Sequence, residues 1–128
     1  FRKRGIPLGP VLSSRWCRCL DTARLAFGRV EEAPMLDSMF RDSEAAGRAK
    51  VHAVLARVAA YNDGKGSGSK PNLVLVTHDV NIRALVGEYV APGEIVVARP
   101  GPDGLHVVGR LGAPDLEPSW AYNELAVP

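Results

Sequence analysis

The sequence predicts an α/β fold, and three stretches carry that prediction. Leu73-Val74-Leu75-Val76 is a nearly unbroken apolar run that stops at Thr77-His78-Asp79. With no polar alternation, it suits a strand covered on both faces, as in a parallel sheet under helices. The period then changes. Ile82, Leu85 and Val86 follow i, i+3, i+4 up to Gly87, which predicts a short helix closed by glycine. Farther on, 94–99 and 105–111 read as paired strands joined by Pro100-Gly101-Pro102-Asp103-Gly104.

The remaining elements follow in chain order. Phe1-Arg2-Lys3-Arg4-Gly5 reads as the last turn of a helix: cations, then a glycine at C′. A domain seldom opens there, so sequence upstream of Phe1 is expected. Pro7 and Pro10 break any helical continuation. Val11-Leu12-Ser13 predicts a short strand. Ser13-Ser14 supplies an N-cap for a helix from about Arg15 to Phe27, closed by Gly28. Its inner stripe is Leu20, Ala23 and Phe27, helped by Trp16. Residues 29–36 are extended, and 37–42 form a polar loop. Asp42 or Ser43 caps a longer helix over Glu44 to Tyr61, with Val51, Val54, Leu55, Val58 and Ala59 on its apolar stripe. Residues 62–71 form a Gly/Ser-rich connection without the pattern of a phosphate-binding loop.

One domain is expected from 128 residues, covering 1–112, with a loose tail over 113–128. Such a chain can bury about two thirds of its unfolded surface. Sixteen basic and fourteen acidic residues leave a net charge of +2. That balance argues against a nucleic-acid partner, which calls for a larger basic excess; Arg2, Lys3 and Arg4 are too few to supply it. No apolar run reaches the roughly 20 residues needed to cross a bilayer, so no membrane partner is expected. The basic opening is not followed by the apolar run of a signal peptide.

Three positions carry candidate chemistry. His78 stands where a buried strand gives way to a helix, the rim where open α/β sheets bind ligands. Arg15 and Arg18 fall at the start of a helix with no acid beside them. Cations there oppose the macrodipole, unless an anion is bound by Arg18 and the free backbone N–H groups together. The bland reading pairs Arg18 with Asp21. Cys17 and Cys19 are one residue apart and point to different faces of a helix, so they do not bridge each other. Burial as small apolar groups is their default; pairing with a cysteine outside the chain is the other reading. His52 and His106 fall off the apolar stripes and are expected at the surface.

Two of these segments together resemble the histidine phosphatase superfamily, the phosphoglycerate-mutase-like proteins. Leu12-Ser13-Ser14-Arg15-Trp16-Cys17-Arg18-Cys19-Leu20-Asp21-Thr22-Ala23 is similar to the family's Ser-Ser-x-x-x-Arg-x-x-x-Thr-Ala segment. Val74-Leu75-Val76-Thr77-His78-Asp79-Val80-Asn81-Ile82 is similar to its second-histidine segment. The hairpin from Gly93 to Leu111 fits a small bacterial branch with Trp-Cys-Arg-Cys and Val-Asn-Ile at these places. The resemblance covers about residues 1 to 111. It implies a three-layer α/β/α fold around a mostly parallel sheet, and phosphoryl transfer through a phosphohistidine without a metal or other cofactor. Arg18 would bind phosphate, with Arg15 and Ser14 beside it, and His78 would contact the phosphoryl group. Asp79 or Asp37 would be the general acid that protonates the leaving oxygen. Asp79 also suits a helix cap.

The family's nucleophile lies in an Arg-His-Gly motif at the end of the first strand. The chain has only His52, His78 and His106, none in such a motif. The expectation is an incomplete chain whose first strand and attacking imidazole lie upstream, with little or no turnover of its own and with flanking strand edges left open. The function expected of the whole is hydrolysis of a small or exposed phosphomonoester. The alternative is a non-catalytic phosphate-binding domain with a degenerate site. The partner is a phosphorylated small molecule or phosphate ion in either case. Members of this branch include periplasmic proteins; cytoplasm and periplasm both fit the sequence.

Overall fold

A computed structural model describes residues 1, 4–63 and 71–112. The tail over 113–128, the centre of the Gly/Ser connection, and Arg2 and Lys3 lie outside the described residues. The elements run β1 (Leu8–Ser13), α1 (Cys17–Phe27), β2 (Glu31–Glu32), a 3₁₀ turn (Pro34–Leu36), α2 (Glu44–Asp63), β3 (Asn72–Val76), α3 (Asp79–Val86), β4 (Ile95–Gly101) and β5 (Gly104–Leu111). Strands β2, β1 and β3 form a parallel sheet in that order, and β4 and β5 form a separate antiparallel hairpin. The expected α/β class therefore holds, with alternating elements, a parallel three-stranded sheet and a hairpin.

Gly5 is left-handed at φ 65°, and the N–H of Ile6 reaches back to the carbonyl of Phe1 at 3.1 Å. Strand β1 starts earlier than its apolar run suggests and passes through Pro10. The cost of the missing N–H is met by a register shift: Leu8 pairs with Asn72, and regular pairing resumes at Val11 with Val74. Gly9 sits in that irregularity because nothing larger fits. A Cβ there would lie 2.7 Å from the Tyr61 hydroxyl and 3.2 Å from the Asn72 carbonyl oxygen.

Helix α1 begins at Cys17, two residues later than expected, so Arg15 precedes the helix. Ser14 does not cap it; its Oγ accepts from the N–H of Trp16 at 3.1 Å, a turn rather than a cap. The C-terminus is as expected, with Gly28 left-handed and its N–H on the Arg24 carbonyl. The buried stripe is Cys19 and Ala23, flanked by half-buried Leu20 and Phe27. Trp16, outside the helix, is 44% exposed and does not join it. Helix α2 is capped by Ser43, whose Oγ accepts from Ala46 N–H at 3.1 Å. Val54 is its deepest residue, while Ala59 is exposed. Helix α3 ends at left-handed Gly87.

The core is compact in number. Leu12, Ala33, Leu36 and Val54 are buried together, with Leu73, Leu75, Val58 and Leu85 packed around them. β3 is half-buried along Leu73–Val76 rather than fully covered. Among the described residues it pairs with β1 alone, and β4 pairs with β5 alone, so each keeps one edge without a strand. That open edge is the physical reason for its partial exposure. Arg110 of β5 bonds to Glu88 at 2.7 Å and Glu94 at 2.9 Å, which fixes the hairpin to the loop after α3.

Candidate anion-binding site

Parallel pairing brings two chain reversals to one rim. Ser13 is in register with Val76, and Ser14 N–H donates to the Val76 carbonyl at 2.9 Å. The chain leaves β1 through Ser14-Arg15-Trp16 into α1, and leaves β3 through Thr77-His78 into α3. Ser14 and His78 therefore meet at the carboxyl ends of adjacent strands, where ligands bind in open α/β sheets.

His78 is buried, at 7% exposure. Its Nε2 lies 2.9 Å from Ser14 Oγ and 3.7 Å from Cys19 Sγ. The Trp16 ring stands edge-on to the imidazole, with centroids 4.7 Å apart at 69°. Burial lowers the His78 pKa, and the Arg18 charge adds to that; Asp37 and Asp79 oppose it. The imidazole is therefore held neutral at pH 7.

Arg18 lies over the Trp16 ring, its guanidinium carbon 5.1 Å from the centroid. Arg83 lies over Tyr89 at 4.2 Å. Among the described residues, neither guanidinium has a carboxylate partner within ion-pair distance, so Arg18 does not pair with Asp21, which bonds Arg24 instead. Both arginines, His78 and Asp79 line one cavity of about 430 Å³. Helix α1 adds an N-terminus with no side-chain cap and no acid in its first turn. Two arginines against the single carboxylate of Asp79, beside an uncapped helix end, leave the hollow with a positive excess suited to an oxyanion.

The other sequence candidates separate into two groups. Asp79 stays with the cavity; it is the first residue of α3, and its Oδ1 accepts from Val80 N–H at 2.8 Å. It sits inside the helix rather than capping it, since the N-cap is His78. Arg15 and Asp37 pair with each other away from the cavity wall. Asp37 Oδ2 accepts from Arg15 Nη2 at 2.6 Å and Nε at 2.9 Å, and Oδ1 from its backbone N–H at 2.8 Å. Burial pushes the Asp37 pKa up, but the Arg15 hydrogen bonds and charge, with help from Ser14, together hold it below the ordinary carboxylate value. The bond to Asp37 likewise raises the Arg15 pKa. Ser14 is fully buried behind His78, its hydroxyl also 3.3 Å from Asp37 Oδ1. The two cysteines part company as expected on a helix: Cys17 is exposed, and Cys19 is buried against His78. Burial raises the Cys19 pKa, outweighing the opposing effects of Ser14 and Arg18, so it remains a thiol. His52 and His106 are exposed.

Sequence reasoning missed Asn81, Arg83, Phe40 and Tyr89. Asn81 is buried and sews α3 to the loop after the 3₁₀ turn: its Oδ1 accepts from Met39 N–H at 3.0 Å, and its Nδ2 donates to the Asp37 carbonyl at 2.8 Å. A lone amide inside an apolar helix stripe was the available signal. Arg83 stands four residues after Asp79 on the same helix face, a spacing that could have placed it at the rim. Phe40 and Tyr89 lie in loops and carry no periodic signal. A second hollow of about 460 Å³ between α2 and the β4–β5 turn is bordered by His52, Leu55 and Asp103 and contains no arginine or lysine.

Comparisons with protein-family models, with curated proteins and with solved structures found no match.

Proposed function

We propose that this cavity receives the phosphoryl group of a small or exposed phosphomonoester, and that the chain is the phosphate-holding part of a histidine-phosphatase-like hydrolase. The observation that carries the reading is the convergence of Arg18 and His78, from different elements, on one electropositive cavity. A transferring phosphoryl group spreads negative charge over three oxygens, and fixed donors stabilise it without metal. Arg18 offers a planar fork of donors matched to such an anion. His78 borders the cavity without attacking, because its Nε2 is turned inward to Ser14; the donors to the phosphoryl oxygens come from Arg18.

Of the two candidate acids, Asp79 suits proton donation better. It borders the cavity, whereas Asp37 stands away from the wall with its carboxylate taken up by Arg15. The attacking imidazole of a phosphohistidine route is not among His52, His78 and His106, so little or no turnover is expected of this chain. A non-catalytic phosphate binder is the second reading, favoured by that same missing imidazole.

The test is titration of inorganic phosphate and vanadate against the wild type and Arg18→Ala. A loss of about tenfold or more in the variant is expected for one charge-assisted guanidinium contact. Equal binding by the two proteins would defeat the reading. Turnover of an aryl phosphate by a form bearing an Arg-His-Gly segment separates the hydrolase from the binder.

A further inference from the structure

We infer that the site selects phosphomonoesters whose organic group is a flat aromatic ring rather than a polyol; the inference rests on the phosphoryl-binding reading above. Its ground is the wall of the same cavity. Among the described residues, the exposed aromatic side chains are Phe1, Trp16, Phe40 and Tyr89, and all but Phe1 border this cavity. Phe40 is 74% exposed and Tyr89 71%. Large apolar groups left in water at one place mark a surface that a partner covers.

The arrangement is directional. Arg18 over Trp16 and His78 beside it form the polar end. Arg83 over Tyr89, with Phe40, forms the outer part. A guanidinium stacked on an arene presents a flat face, and a ligand ring can extend the stack while its phosphate reaches Arg18. The volume of about 430 Å³ lies within the range of sites for small ligands.

The polar lining a sugar would need is scarce. Recognition of several hydroxyls calls for free carboxylates, amides or hydroxyls aimed inward. The wall includes no Asn or Gln; besides the two arginines, His78 and the polar edges of Trp16 and Tyr89, its polar side chains are Ser38 and Asp79. Each already makes one local bond: Ser38 Oγ accepts from Phe40 N–H at 3.2 Å, and Asp79 Oδ1 accepts from Val80 N–H, which leaves a single hydroxyl and a single carboxylate for a ligand with many hydroxyls.

The experiment measures affinity by calorimetry for inorganic phosphate, glucose 6-phosphate, 2-naphthyl phosphate and 2-naphthol. The proteins are wild type, Arg18→Ala and the double variant Phe40→Ala/Tyr89→Ala, whose altered side chains are exposed and outside the core. The naphthyl ester is expected to bind wild type about tenfold tighter than the sugar phosphate, the weight of one good aromatic contact. In the double variant that advantage should shrink to about threefold or less, read against each protein's own affinity for inorganic phosphate. Equal affinity for the two esters in wild type, or an undiminished preference in the double variant, overturns the aromatic selectivity while leaving phosphate binding intact. A different pattern defeats the underlying reading as well: no phosphate compound binds, or naphthol binds as well as its ester and Arg18→Ala changes nothing.

Discussion

Ser14 Oγ and His78 Nε2 are 2.9 Å apart, and both residues are buried. The hydroxyl has one proton and two lone pairs. It accepts from Trp16 N–H, and its third neighbour, Asp37, can only accept. All three bonds are satisfied together when the hydroxyl proton points to Asp37 and His78 carries its proton on Nε2. Asp37, Ser14 and His78 then form one chain of hydrogen bonds from the Arg15 ion pair to the cavity.

Stability should therefore depend on His78 with a definite sign. Its pKa is lowered by folding, chiefly through burial, so the unfolded chain takes up the proton first. The contribution is fully present above the ordinary value of 6.5 and is lost as pH falls through the lowered folded value. Urea unfolding at pH 7.5 and pH 5.5 should show the wild type weaker at the lower pH, with the difference reduced in His78→Asn. Identical pH dependence in the two proteins would remove His78 from the account. Ser14→Ala at pH 7.5 should cost about 1–3 kcal/mol, because the buried partners lose their bond.

Asn81 predicts a larger effect than its position on an eight-residue helix suggests. Its amide is 2% exposed and holds Met39 N–H and the Asp37 carbonyl, so it fixes the loop that carries Asp37. Asn81→Leu keeps the branched outline of the side chain but leaves both backbone groups unpaired. The expected loss is about 2–4 kcal/mol, from two buried groups without partners. Chemical denaturation measures it; a change below about 0.5 kcal/mol, the scale of an ordinary surface substitution, would mean that water replaces the amide freely.

The sequence made the framework legible where local signals agreed. The apolar run of β3 gives a strand, though one less covered than expected; the glycines close α1 and α3; and the spacing of α2 gives a helix, with Ala59 left exposed. It was least legible where contacts between distant segments decide. Nothing near Arg15 announces Asp37, yet that pair holds Arg15 away from the cavity wall, and α1 starts only at Cys17. Trp16 reads as core by type, but its ring is used against His78. Arg18 and His78 were legible because strand ends and helix starts mark the rim of any such sheet. The aromatic wall was not, since loop side chains show no period.

Gly9 should tolerate no side chain. The Tyr61 hydroxyl that would meet a Cβ donates to the Pro71 carbonyl at 2.6 Å, so it cannot withdraw without losing a bond. The Asn72 carbonyl oxygen on the other side belongs to the backbone of β3. Gly9→Ala is expected to lower stability by about 1–3 kcal/mol through overpacking. Gly9→Ala with Tyr61→Phe removes the hydroxyl and should recover part of that loss. No recovery would place the clash at the backbone instead.

Thiol chemistry gives the most direct readout of the site's interior. Cys17 is exposed on α1, while Cys19, two residues on, is turned inward against His78. Burial holds Cys19 in its thiol form, and the thiolate is the reactive species. A disulfide reagent should therefore modify one thiol quickly in the native protein and both in denaturant. Cys17→Ser should abolish the fast phase and leave only a slow one, whose rate follows the opening of the fold rather than the reagent concentration. A fast phase persisting in Cys17→Ser would mean that reagent reaches His78 and Ser14 in the native state, and the packed rim described here would have to be open.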